Sequence, residues 1–190
     1  MLSKWNKSTA EKVLMGRELA VVQGAIDTLE QGRNFLSDLT DEMYQGTAKP
    51  YVDSSIGEHF RHLLDMYQVL LVMGTGGLDK NLIDYNQRRR GHLVESCRYQ
   101  AILETEQLID RLEKLELNDI KQSVQVLSEV SVCGCQSAAM SSTLERELTF
   151  VSLHANHHFA MTKVVVNLLG GQTQYDFGYA AATLSYMRKA

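Results

Sequence analysis

Apolar residues recur at helical spacing along most of this chain, and the places where that spacing fails mark its joints. Val13, Leu14, Ala20, Val21, Ala25, Leu29, Phe35, Leu36 and Leu39 form a stripe that predicts one long helix from Ser8 to about Tyr44. Ser8-Thr-Ala-Glu11 at its start has capping-box spacing, in which a hydroxyl and a carboxylate three residues apart satisfy each other's backbone N–H groups. Gly24 and Gly32 each weaken a helix by about 1 kcal/mol relative to alanine, yet small residues also let a second helix come close. Gly46 to Asp53, holding the single proline Pro50, predicts a loop.

Ser55-Ile-Gly-Glu58 repeats the capping-box spacing and opens a second helix. Phe60, Leu63, Leu64, Tyr67, Leu70 and Leu71 continue it to a Gly74-Thr-Gly-Gly77 terminator. A third helix spans roughly His92 to Leu115. Between 118 and 136 the helical period gives way to imperfect alternation in Ser123-Val-Gln-Val-Leu-Ser-Glu-Val-Ser-Val-Cys133, which predicts a short hairpin or paired extended segments. Ser142-Thr-Leu-Glu145 is a third capping box, and its long helix ends at Gly170-Gly171. A last short helix runs from about Phe177 to Met187. The pattern predicts an all-α fold in a single domain over 1–190. Four main helices make a four-helix bundle, with a short extended or hairpin segment in the crossover between helices 3 and 4.

Composition alters this picture little. A 44% apolar and 22% charged chain of 190 residues can bury a core without disulfide staples. A formal charge of −4 gives no attraction to nucleic acid, and Arg88-Arg89-Arg90 is too local to track phosphates. Apolar runs fall far short of the ~20 residues that cross a bilayer, so no membrane partner is expected. Lys4, Lys7, Glu11, Lys12 and Arg17 leave no apolar signal-peptide segment. Three cysteines, two of them in Cys133-Gly-Cys135, do not make a disulfide framework, which predicts a reducing cytoplasm. The Cys133/Cys135 pair itself is read as small buried packing, with a redox pair or a thiol near a metal as the alternative.

Chemistry concentrates in histidine. His154, His157 and His158 fall within five positions, and His59 and His62 form a second cluster; only His92 stands apart. Residues four apart share a helix face, so His154 and His158 can grip one metal, while His157 points off that face. Either His59 or His62 can complete the set. Neutral imidazole suits zinc, nickel, copper or iron. The zincin order His-Glu-x-x-His is absent, and neither Glu58 nor Glu147 is followed at three by the histidine that a di-iron bundle requires. A mononuclear, histidine-rich centre remains, and a core-packing or partner-binding role for the histidines is the competing reading. Glu147 is read as a surface carboxylate paired with Arg146, or as an acceptor for an imidazole N–H. The Asp84-Tyr85 and Arg88–Arg90 stretch is either a solvated loop with ion pairs or an anchor for an anionic substrate group.

Ser55-Ile-Gly-Glu-His-Phe-Arg-His62 followed by Leu153-His154-Ala-Asn-His157-His158, in this helix order, resembles the DinB-like (YfiT-like) metalloenzyme family over nearly the whole chain. The resemblance implies a metal triad of His62, His154 and His158, with His59 as an additional histidine beside the expected one. It also implies a homodimer, and for some members a thiol-dependent transferase reaction with a low-molecular-weight thiol. The resulting expectation is an enzyme in which a divalent transition metal (zinc, nickel or iron) activates water or a thiol. Thiol transfer or hydrolysis would act on a small-molecule substrate, with Glu58, His59 or Asp65 moving protons. The alternative is a non-catalytic helical protein, with a structural or sensory metal site or a partner-binding role.

Overall fold

The computed structural model describes residues 7–71 and 81–189. The Gly74–Gly77 terminator and the side chains of the Ser8–Glu11 box lie outside what it describes. Helix α1 (Lys7–Asp38) buries Val22, Ala25, Ile26, Leu29, Phe35 and Leu36 along its stripe. It stops at Asp38, short of Tyr44, because Thr40 takes an extended backbone. Its hydroxyl accepts the Met43 N–H at 3.2 Å, which starts a separate short helix, α2 (Asp41–Gln45). Helix α3 (Ile56–Leu71) opens on a formed capping box: Glu58 N donates to Ser55 Oγ at 3.1 Å, and Ser55 N donates to Glu58 Oε2 at 2.8 Å.

The expected third helix begins late. His92 Nδ1 accepts the Val94 N–H and caps a 3₁₀ turn over Leu93–Glu95; helix α4 (Arg98–Glu113) follows only after Cys97. Short α5 (Leu117–Ile120) leads into the second half of the chain, whose main element is α6 (Leu144–Leu168). Both α1 and α3 pack against α4 and α6, so four helices enclose one core. Gly32 lets α1 meet α6: a Cβ there would stand 2.8 Å from the Phe159 ring. The last helix, α7 (Ala181–Met187), is shorter than expected. Phe177 lies outside it and inserts into the core, its ring 4.0 Å from that of Phe35.

A three-stranded mixed sheet overturns the all-α expectation. Strand β1 (Leu82–Asp84) runs parallel to β2 (Ser123–Glu129), with Leu82 opposite Gln125. In turn β2 pairs antiparallel with β3 (Ser137–Thr143), from Ser123 opposite Thr143 to Glu129 opposite Ser137. The protein is an α/β mix and not an all-α four-helix bundle. Three residues of β1 carry too little pattern to be read locally, and their partner lies far along the chain. The Ser-Ala-Ala-Met-Ser-Ser-Thr of β3 is poor in strand-favouring side chains; its backbone extends because β2 supplies the hydrogen-bond partners. Strand β3 passes directly into α6, so the N-cap is Thr143, whose hydroxyl accepts from Arg146 N, and Ser142 stays in the strand. The sheet thus feeds α6 at one end and, through β1, positions Tyr85 and the arginines beyond it. Among the described residues, no helix is long and apolar enough to cross a membrane.

Candidate metal centre

Helix α6 buries Val151, Ala155 and Phe159 against the core, which leaves His154 and His158 half-buried at the edge of that face. Helix α3 packs alongside and turns His62 toward them. His62 Nε2 lies 3.0 Å from His154 Nε2, and His158 Nε2 lies 3.0 Å from the same atom. One ring nitrogen from each of the three falls within 4.8 Å of the others. The rings stand edge-on, at interplanar angles of 86°, 75° and 76°, so three lone-pair directions can converge on one point.

Chemically, the donor set fits a transition metal. Zinc–imidazole bonds of about 2.0–2.1 Å place tetrahedral donors roughly 3.3 Å apart, within a few tenths of an ångström of the separations found. Ligation needs neutral imidazole. Burial, then the Arg88 charge and His154, hold His62 down at about 3 from the ordinary 6.5. Burial and the surrounding imidazoles bring His158 to about 3 as well. Burial also lowers the His154 pKa, with His157 and Arg88 adding to it.

The remaining histidines divide by position. His59 Nδ1 lies 2.9 Å from His158 Nδ1, behind the point where the Nε2 atoms meet, and its own Nε2 is buried without a hydrogen-bond partner among the described residues. When His158 presents Nε2 as a lone pair, its Nδ1 carries the proton and donates to His59, an outer contact that fixes ring orientation. His157 is exposed, with its ring 5.5 Å from that of His158. His92 is the cap described above.

The two carboxylates named with His59 as proton carriers are engaged elsewhere. Glu58, itself exposed, closes the capping box with the buried Ser55. Asp65, 4% exposed, accepts from Arg61 Nη1 at 3.3 Å, Arg89 N at 3.0 Å and Arg89 Nε at 2.5 Å. Arg89 also donates to Glu104, and Arg61 to Glu95. Among the described residues, neither carboxylate hydrogen-bonds a histidine. Cys133 and Cys135 are exposed at the turn between β2 and β3, which corrects their reading as buried packing.

A cavity of 530 Å³ opens beside the centre, between α6 and the sheet. His62 and His154 form part of its wall, with Tyr85, Arg88, Met140 and Phe150 around it. Glu147 lines it too, and is neither a surface carboxylate nor an imidazole acceptor: at 7% exposure it accepts from Tyr85 Oη at 2.9 Å and Ser142 Oγ at 2.6 Å. Burial and the Glu147 carboxylate raise the Tyr85 pKa, so the phenol keeps its proton as the donor. Sequence reasoning missed this Tyr85–Glu147–Ser142 group. Its one local signal was Glu147 standing seven residues, two turns, before His154.

No family model matches the chain, and no solved structure matches it. Among curated proteins the chain is similar to FK506-binding protein 5 of Rhizopus delemar, at 26% identity over 111 residues, or 57% of this chain. The similarity covers 28% of that protein's length, so it identifies neither a family nor an activity for this chain.

Proposed function

We propose that this protein is a metal-dependent enzyme acting on a small molecule, with a divalent transition metal held by His62, His154 and His158. One observation carries the reading: three neutral imidazoles bring their Nε2 atoms together at the wall of a 530 Å³ cavity. Zinc, nickel or iron bound there would supply Lewis acidity, which makes a nucleophile of water or a low-molecular-weight thiol at neutral pH. The chain's own residues would do the rest. His59 would orient His158 through the Nδ1–Nδ1 contact, and of Glu58, His59 and Asp65 it is the one placed to exchange a proton with the histidines. Tyr85 and Ser142 hold the Glu147 carboxylate rigid at the cavity wall.

A catalytic rather than structural site is favoured because the described ligand group contains three residues, not four, and two of them border open space. Thiol transfer or hydrolysis fits such a centre. The exposed, unpaired Cys133 and Cys135 fit a reducing cytoplasm. Elemental analysis of untagged protein tests the site: the wild type should hold a stoichiometric metal and His154→Ala none. Full occupancy in His154→Ala would overturn it, and a screen of thiols with the loaded enzyme then tests the reaction.

A further inference from the structure

Three arginines surround the Asp65 end of α3, and they differ in what they bind. Arg61 pairs with Asp65 and Glu95, and Arg89 with Asp65 and Glu104. Arg88 forms no ion pair with any described carboxylate. Its Nη1 donates to the Tyr85 and Gln87 carbonyls, which uses both N–H groups of that nitrogen. No described acceptor is bonded to Nε or Nη2, the edge that carries the other three N–H groups and grips a carboxylate or phosphate side-on. Arg88 is half-buried in the cavity wall, and its charge reaches both His62 and His154. The apolar part of the lining is Met66, Val126, Met140 and Phe150, and Arg146 lies over the Phe150 ring at 5.8 Å.

We propose that Arg88 is the substrate anchor of this site, and that the cavity takes a small amphipathic anion. A carboxylate or phosphate would rest on the Nε/Nη2 edge and an apolar portion on Met140 and Phe150. The proposal rests on the metal-site reading for what happens to the substrate, but not for its binding. Two carbonyl bonds hold the guanidinium in place before any ligand arrives, so little ordering is needed on binding. Burial and the Arg61 charge both lower the Arg88 pKa, the direction a bound anion would reverse. The Asp65 and Asp84 charges act in the other direction without forming an ion pair to Arg88, and the net direction stays downward.

The test titrates the full chain with hexanoate, hexyl phosphate, hexanol and hexylammonium by calorimetry, with metal bound and after chelation. Both anions should bind about tenfold or more tightly than hexanol, as expected for hydrogen bonds to a charged group, and hexylammonium should not bind. Arg88→Met should abolish the preference for anions with metal content unchanged, and Arg88→Lys should keep part of it. Equal affinity for hexanoate and hexanol overturns the proposal. So does an anion preference that survives in Arg88→Met, including one that vanishes only on chelation, where the metal and not Arg88 holds the anion. If Arg88→Met does not fold, the wild type decides: the Arg88 Nε–H resonance should shift with hexanoate and not with hexanol, and no shift with hexanoate overturns the assignment. A wild type that binds no metal but keeps the anion preference would refute the metal-site reading and leave the anchor standing.

Discussion

His62 and Asp65 stand three residues apart on one helix, and the groups they belong to behave in opposite ways. Around Asp65 opposite charges pair: Arg61 and Arg89 are shared among Asp65, Glu95 and Glu104, with Gln68 also donating to Glu104, and Arg88 alone of the three arginines stays outside the network. Around His62 the partners are alike. Three imidazoles direct nitrogen at nitrogen, and a fourth, His59, backs one of them. A satisfied network needs nothing from outside and holds α3, α4 and the Arg89 loop together. Converging donors of one kind have the arrangement that a cation requires. Complementarity separates a cluster that builds the fold from one proposed to take a ligand.

The largest expected effect lies on the satisfied side. Asp65→Ala leaves two arginines without their shared, buried carboxylate, and should cost about 3–5 kcal/mol in urea unfolding. Loss of less than about 1 kcal/mol would mean that the network is solvated and not structural. Next comes the histidine side. With metal at a hundredfold excess over its Kd, the wild type should gain about 2.7 kcal/mol of stability, lost on chelation. His154→Ala should show no such chelator response. A shift that persists in His154→Ala would place the metal elsewhere.

A third measurement uses pH on the chelated protein. The folded state holds His62 and His158 at about 3, against 6.5 for free imidazole. Between those values the unfolded chain binds more protons than the folded one, so stability rises with pH through this window. Stability should therefore fall as pH drops from 6.5 toward 3, and His62→Gln should flatten that slope. An unchanged slope in His62→Gln would assign the acid sensitivity to other groups. The smallest effect belongs to His157→Ala. Exposed and off the converging face, it should leave metal content unchanged and stability within about 0.5 kcal/mol; loss of metal would show that it is a ligand.

Much of the helical architecture was legible because its signals are local. The Ser55–Glu58 box, the stripe of α1 and the pairing of His154 with His158 each involve residues within a turn or two. Other features were misread for equally local reasons. Thr40 ends α1 early through one hydroxyl, and His92 starts a 3₁₀ turn where a continuous helix was expected. The extended segment expected at 123–133 holds β2, but the three-stranded sheet built on it was the larger miss. Strand β1 exists through its parallel pairing with β2, and β3 through its pairing with the same strand, and such pairing leaves no periodic trace in three residues or in a run of small ones.

By itself, the sequence determined which residues could serve as ligands and on which helix face they would fall, since a 3.6-residue turn places side chains by counting. Tertiary structure decided which of His59 and His62 meets His154. Both belong to α3, and only the packing of that helix on α6 turns the His62 Nε2 toward His154 and leaves His59 behind His158. It also decided that Glu147 is buried under Tyr85, that Asp65 is claimed by arginine, and that Arg88 keeps one edge free. Those outcomes depend on which groups meet across separate elements. Spacing along a helix says nothing of that until the core and the sheet have closed.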